Sequence, residues 1–314
     1  MNLARWGLDR RPFRPTPALD LFVALPPHEA AVAALRSAFA AGDGLALLDG
    51  GPGTGKTQLA LRFLESLGGD VLPIFVPSAR FAKPADLHQA ILFDLGQPYR
   101  GLGEQELRLA VTEQLLAALA EKKRAVLVLD ESQHLSADLL EEVRLLDNWE
   151  ARGTKVLFTL LVALADLRER LHEPLAQRVR CRLRLEPLSQ EDSLTFLRTQ
   201  LEQCGRNADE IINEEALRLF ARHGRGVPRV LNQLAASALQ LAADGEAEGV
   251  DVEVAFEVLS QAGVEIAEAE EPARPAYPAG AARSVAGEDR ERGEGREPGA
   301  AKTPKQKSRT RRAA

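Results

Sequence analysis

From Gly50 to Thr57 the chain reads Gly-Gly-Pro-Gly-Thr-Gly-Lys-Thr, a spacing suited to holding phosphate. Glycines at 51, 53 and 55 let the backbone double back, so that successive N–H groups and a helix N-terminus face one anion. Lys56 places a cation by the β and γ phosphates of a nucleotide, and the Thr57 hydroxyl suits Mg²⁺. The pattern needs a strand before it and a helix after it; Leu45 to Leu48 is apolar, and Gln58 to Leu67 reads as helical. The expected nucleotide-binding set is the whole loop, Gly50, Gly51, Pro52, Gly53, Thr54, Gly55, Lys56 and Thr57, with Gln58 following.

A second constellation lies downstream, where the all-apolar run Ala125 to Leu129 ends on Asp130-Glu131. Such a run suits a strand buried on both faces of a parallel sheet, with its acidic end at the carboxyl edge where α/β proteins bind ligands. Asp130 then shares Mg²⁺ with Thr57, and Glu131 orients and polarises the water that attacks the γ phosphate. His134 has no second metal-type side chain beside it and reads as a loop residue.

The elements that must position these groups alternate. Val71 to Val76, Lys155 to Leu161 and Arg180 to Leu185 read as further strands, and Asp86 to Leu95 and Glu104 to Lys122 as helices. That alternation predicts an α/β fold, a parallel sheet flanked by helices. After Pro187 the pattern turns helical, over Glu191 to Cys204, Asn213 to Arg222, Val227 to Ala243 and Asp251 to Gln261. Ser189 with Asp192 opens this part as an N-cap with acidic first-turn residues. At the front, an irregular arm carries Trp6, Phe13 and Phe22 and leads to a helix from Pro27 to Ala41; its aromatics are expected to pack on the domain. The expected division is an arm and first helix over 1–40, a phosphate-loop α/β domain over 41–187, a helical lid over 188–263 and a disordered tail over 264–314.

Composition narrows the function. The 314 residues include 45% hydrophobic ones, enough for two domains, and only Cys181 and Cys204 as cysteines, too few for a disulfide scaffold or a zinc site. No apolar run approaches the roughly 18 to 20 residues that cross a bilayer, so a cytoplasmic protein without a transmembrane segment is expected. The formal charge of −6 is uneven. The run from Lys302 to Ala314 has six basic residues and no acidic one, which suits a solvated segment or a contact with nucleic acid or an anionic membrane.

These motifs, with Trp6-Gly7-Leu8 near the start, Leu175-Ala176-Gln177-Arg178-Val179 and Gly226-Val227-Pro228-Arg229, resemble the AAA+ ATPases of the general secretion pathway protein A (ExeA) type. The resemblance spans about Leu3 to Gln261. It implies an ATPase using Mg²⁺ and ATP, built as a ring or filament of like subunits, that switches or remodels a protein partner. It also implies roles that spacing alone does not: Arg178 as an arginine finger, with Arg180 and Arg182 as competitors, Arg229 as the lid's sensor arginine, and Thr159 as the polar sensor of the fourth strand. The family's usual transmembrane and peptidoglycan-binding regions are not found in this sequence. Transposition ATPases of the TniB and TnsC kind share the core motifs, so an ATP-dependent DNA-binding regulator is the alternative.

Overall fold

A computed structural model describes residues 3–151 and 154–263. The low-complexity segment after Gly263, including the basic run, lies outside the described residues.

Five strands form one parallel sheet: β1 (Leu45–Gly50), β2 (Val71–Val76), β3 (Arg124–Leu129), β4 (Leu157–Ala163) and β5 (Val179–Leu185). Their spatial order is β2-β3-β4-β1-β5, all pairs parallel. The centre of the sheet is covered twice. Side chains on a strand alternate faces, so Leu45, Leu47, Leu127 and Leu129 enter one core while Ala46, Leu48, Val126 and Val128 enter another. The first core is closed by α3 (Pro84–Asp94), α4 (Glu104–Ala120) and α5 (Ala137–Asp147), through residues such as Leu87, Leu107 and Leu139. The second is closed by α1 (Pro26–Ala40) and α2 (Lys56–Ser66), through Val32, Leu35, Leu59 and Phe63. Each such leucine contributes about 2 kcal/mol by leaving water, and this fixes the sheet as a rigid platform for the loops at its carboxyl edge.

Helix α5 is not anticipated by the sequence analysis, although its signals are present. Ser136 caps it by accepting from Leu139 N, and Leu139, Leu140, Val143 and Leu146 are buried. The fourth strand begins at Leu157, two residues later than expected.

The lid consists of α6 (Gln190–Glu202), α7 (Glu214–His223), α8 (Pro228–Asp244) and α9 (Val252–Gln261). Ser189 caps α6, its Oγ accepting from Asp192 N at 3.0 Å. The lid has a core of its own, and the arm belongs to it: Trp6, Leu8 and Phe13 are buried among Phe196, Leu197 and Phe220. Phe22 instead packs beside His28, with Arg62 over its ring. The arm aromatics therefore pack on the protein, and the segment before α1 joins the helical part. Among the described residues no helix is long and apolar enough to cross a membrane.

Candidate nucleotide site

The loop between β1 and α2 turns on two glycines with positive φ, Gly53 at +76° and Gly55 at +95°. Gly55 is the N-cap of α2, so the helix starts at Lys56 with its N–H groups facing the loop. Lys56 Nζ donates to Gly51 O at 2.7 Å and Gly50 O at 3.2 Å, and it forms no ion pair among the described residues. Burial pushes its pKa down, opposed by Asp130 and Glu131 and reinforced by Arg229. A half-buried ammonium held only by carbonyls, with a second cation nearby, is a group that an anion would satisfy.

Asp130 follows β3 and comes to the first turn of α2, where Thr57 Oγ1 donates to its Oδ2 at 2.6 Å. Glu131 N donates to the other oxygen at 2.8 Å. Burial raises the Asp130 pKa, and those two hydrogen bonds counter the rise. Glu131 itself sits at φ +55°, the left-handed region that a non-glycine residue enters at a cost of about 1 kcal/mol or more. That backbone carries its side chain out of the strand line to the cleft.

A cleft of about 280 Å³ lies over these groups, with Lys56, Thr57, Gln58, Asp130 and Glu131 on its floor. The lid supplies Pro228, Arg229 and Asn232 from the start of α8, and the arm supplies Arg14 to Pro17. Lid and loop touch directly, because Arg229 N donates to Gly53 O at 3.2 Å. A Cβ on Gly53 would lie 3.0 Å from both Arg229 Cβ and Val227 Cγ1. The arm is stitched over the cleft: Gln58 Nε2 donates to Ala18 O at 2.9 Å and Asn232 Nδ2 to Arg14 O at 3.3 Å. This use of the arm has no marker in the sequence beyond its aromatics.

Not every loop residue faces the cleft. Gly50 is required by packing, since a Cβ there would stand 2.5 Å from Leu185 O of the neighbouring strand. Thr54 is buried and braces the turn, donating to Gly51 O at 2.9 Å. Pro52, Gly53 and Gly55 line the opening, while Gly51 offers its carbonyl to Lys56 and Thr54.

Two residues assigned by resemblance stand away from the cleft. Thr159 is in register with Leu45, the first residue of β1, and with Leu127 in the middle of β3, and is fully buried. The strand's carboxyl end instead presents Leu164 to the cleft. Arg178 precedes β5 and pairs with Asp147 at 3.0 Å, at the amino edge of the sheet. The length of β5 separates it from its own phosphate loop, roughly 20 Å at 3.3 Å per residue. Beside it, Arg180 is 77% exposed, and Arg182 is spent on the backbone carbonyls of Val179 and Ala176.

Strand order, loop and helical lid together define an AAA+ P-loop fold. Residues 40–171 match the family described as an AAA domain. The chain is 33% identical over 239 residues to the general secretion pathway protein A of Aeromonas hydrophila, spanning 74% of this chain and 43% of that protein. The chain thus spans less than half the length of that relative. Similar solved structures include Cdc6p from Pyrobaculum aerophilum, with a TM-score of 0.66, 18% identity and coverage of 83% and 71% of the two chains. The Thermotoga maritima RuvB branch migration motor matches with a TM-score of 0.55, 20% identity and coverage of 79% and 73%. The chain thus carries an AAA domain within an AAA+ P-loop fold and is similar, over most of its own length, to general secretion pathway protein A.

Proposed function

We propose that the chain binds Mg-ATP in this cleft and hydrolyses it as one subunit of an oligomer whose nucleotide state switches or remodels a protein partner. The observation that carries the reading is the meeting of Lys56, Thr57 and Asp130 within one cleft, with Arg229 approaching from the lid. The donor set fits the group: a hydroxyl and a carboxylate already within hydrogen-bond distance for a hard cation, and, for phosphate, an ammonium that has no carboxylate partner among the described residues. Bound Mg²⁺ would neutralise phosphate charge and fix the oxygens for in-line attack. Thr57 and Asp130 hold it, Lys56 and the N–H groups of the loop hold the phosphates, and Glu131 orients the water. Arg229 moves with the lid and senses whether the phosphate end of the cleft is filled.

Arg178 does not reach its own loop, which supports a role in a neighbouring subunit's site. A guanidinium supplied in this way makes hydrolysis depend on assembly, in a ring or a filament. The protein reading is tested with the full chain. ATP affinity is expected to vanish in Lys56→Ala, while Glu131→Gln keeps affinity and loses at least tenfold in turnover. Undiminished affinity in Lys56→Ala would sink the site assignment.

The DNA-regulator alternative predicts duplex binding that appears with ATP and disappears with ADP. Binding that ignores nucleotide, falls steeply with salt and is lost when the basic residues from Lys302 to Arg312 are neutralised would belong to the basic run instead.

A further inference from the structure

The fourth strand brings no polar side chain of its own to the cleft, since its last approach is made by Leu164. The polar group that reaches this point comes from Gln133, in the 3-10 turn Ser132–His134 after β3. Gln133 Oε1 accepts from Leu164 N at 3.2 Å, and Gln133 Nε2 donates to Glu131 Oε2 at 2.5 Å. These partners settle the amide's orientation, because a backbone N–H requires the oxygen on one side and a carboxylate requires the NH₂ on the other. The turn is also anchored from behind: Arg170 donates to Gln133 O and, at 2.8 Å, to Leu135 O.

The Glu131 side chain is half exposed, and an exposed glutamate held only by water samples several rotamers. His134 does not fix it, because its Nε2 is 3.9 Å away, beyond hydrogen-bond distance, and lies 3.2 Å from Arg80 instead.

We propose that Gln133 is a positioning residue, which holds the Glu131 carboxylate in its working orientation and couples it to the carboxyl end of β4. The proposal rests on the reading of Glu131 as the group that orients the attacking water. It gives the place expected of a fourth-strand side chain to an amide from the preceding turn.

The test uses the full chain. Gln133→Ala, and the near-isosteric Gln133→Glu that removes the donor, are expected to lower kcat by about tenfold to a hundredfold, the scale of a misplaced catalytic group. KM for ATP stays within about threefold, because no phosphate-holding group is touched. In a Glu131→Gln background, adding Gln133→Ala changes kcat by less than about twofold, since the second change acts only through the first. Parental kcat in Gln133→Ala, or a full second loss in the double variant, would overturn the proposal. Hydrogen exchange at Leu164 N gives a readout independent of turnover: it speeds up in Gln133→Ala at an unchanged melting temperature. If the parent chain hydrolyses no ATP, the proposed function fails, and unchanged exchange at Leu164 would then overturn the tether on its own.

Discussion

Thr57 Oγ1 lies 2.6 Å from Asp130 Oδ2, a contact between residues 73 positions apart that joins the first turn of α2 to the end of β3. In the proposed site these two oxygens stand together as the ligands offered to a hard cation. Thr57→Val keeps the shape and removes the hydroxyl. The gain in ATP affinity on adding Mg²⁺ should fall about tenfold, the worth of one charge-assisted hydrogen bond. Titration calorimetry with and without Mg²⁺ decides it, and an unchanged gain would remove Thr57 from the metal site.

The lid rests on the phosphate loop at one glycine. Gly53→Ala places a Cβ where Arg229 and Val227 already stand, at a φ of +76° that costs an alanine about 1 to 2 kcal/mol. The contact pushes the lid away from the loop, and the backbone cost disfavours the turn of the loop itself. ATP affinity should fall along with a lowered melting temperature, and parental affinity in a destabilised variant would mean that the lid need not seat on Gly53 for binding.

Arg178 and the cleft of its own subunit lie at opposite edges of one sheet. If Arg178 completes a neighbour's site, mixing Arg178→Ala with Lys56→Ala chains restores part of the hydrolysis that each lacks. Substituting Arg180→Ala for Arg178→Ala in the same mixture tests the nearest competitor. No recovery at any ratio, in mixtures shown to co-assemble, would place Arg178 outside catalysis.

A separate prediction concerns stability. His88 on α3 is fully buried beside Glu142 of α5, its Nε2 3.3 Å from Glu142 Oε1, with Arg108 of α4 on the same carboxylate. Burial, helped by Arg108, pushes the His88 pKa down to about 4. The unfolded chain, with a histidine near 6.5, therefore binds the proton more readily between those values, and stability falls as pH drops through that window. The loss should reach about 2 kcal/mol between pH 7 and pH 5. Glu142 opposes it, because burial raises its own pKa and protonation relieves that cost. Denaturant unfolding of parent and His88→Gln should show a flatter pH dependence in the variant; identical slopes would clear His88 of the effect.

What the sequence by itself determined is whatever depends on neighbours along the chain. Gly50 to Thr57 carries its own chemistry because a turn of alternating glycines followed by a helix start is a local object, and Ala125 to Leu129 declares a doubly buried strand by having no polar residue to expose. The lid's first helix is equally legible from the Ser189 and Asp192 cap. Tertiary structure decided which distant residues share a place. Thr159 looks like a strand-end hydroxyl until the register of β4 against β1 puts it near the amino edge, because a shift of two residues in a strand is invisible to an unbroken apolar run. The arm offers little local structure, and its union with the lid depends on the burial of Trp6 and Phe13 in a core whose members from the lid begin only at Leu188. Gln133 reads as an ordinary polar turn residue. Only the parallel alignment of β3 with β4 sets Leu164 opposite it, and so makes one amide the link between the Glu131 carboxylate and the end of the neighbouring strand.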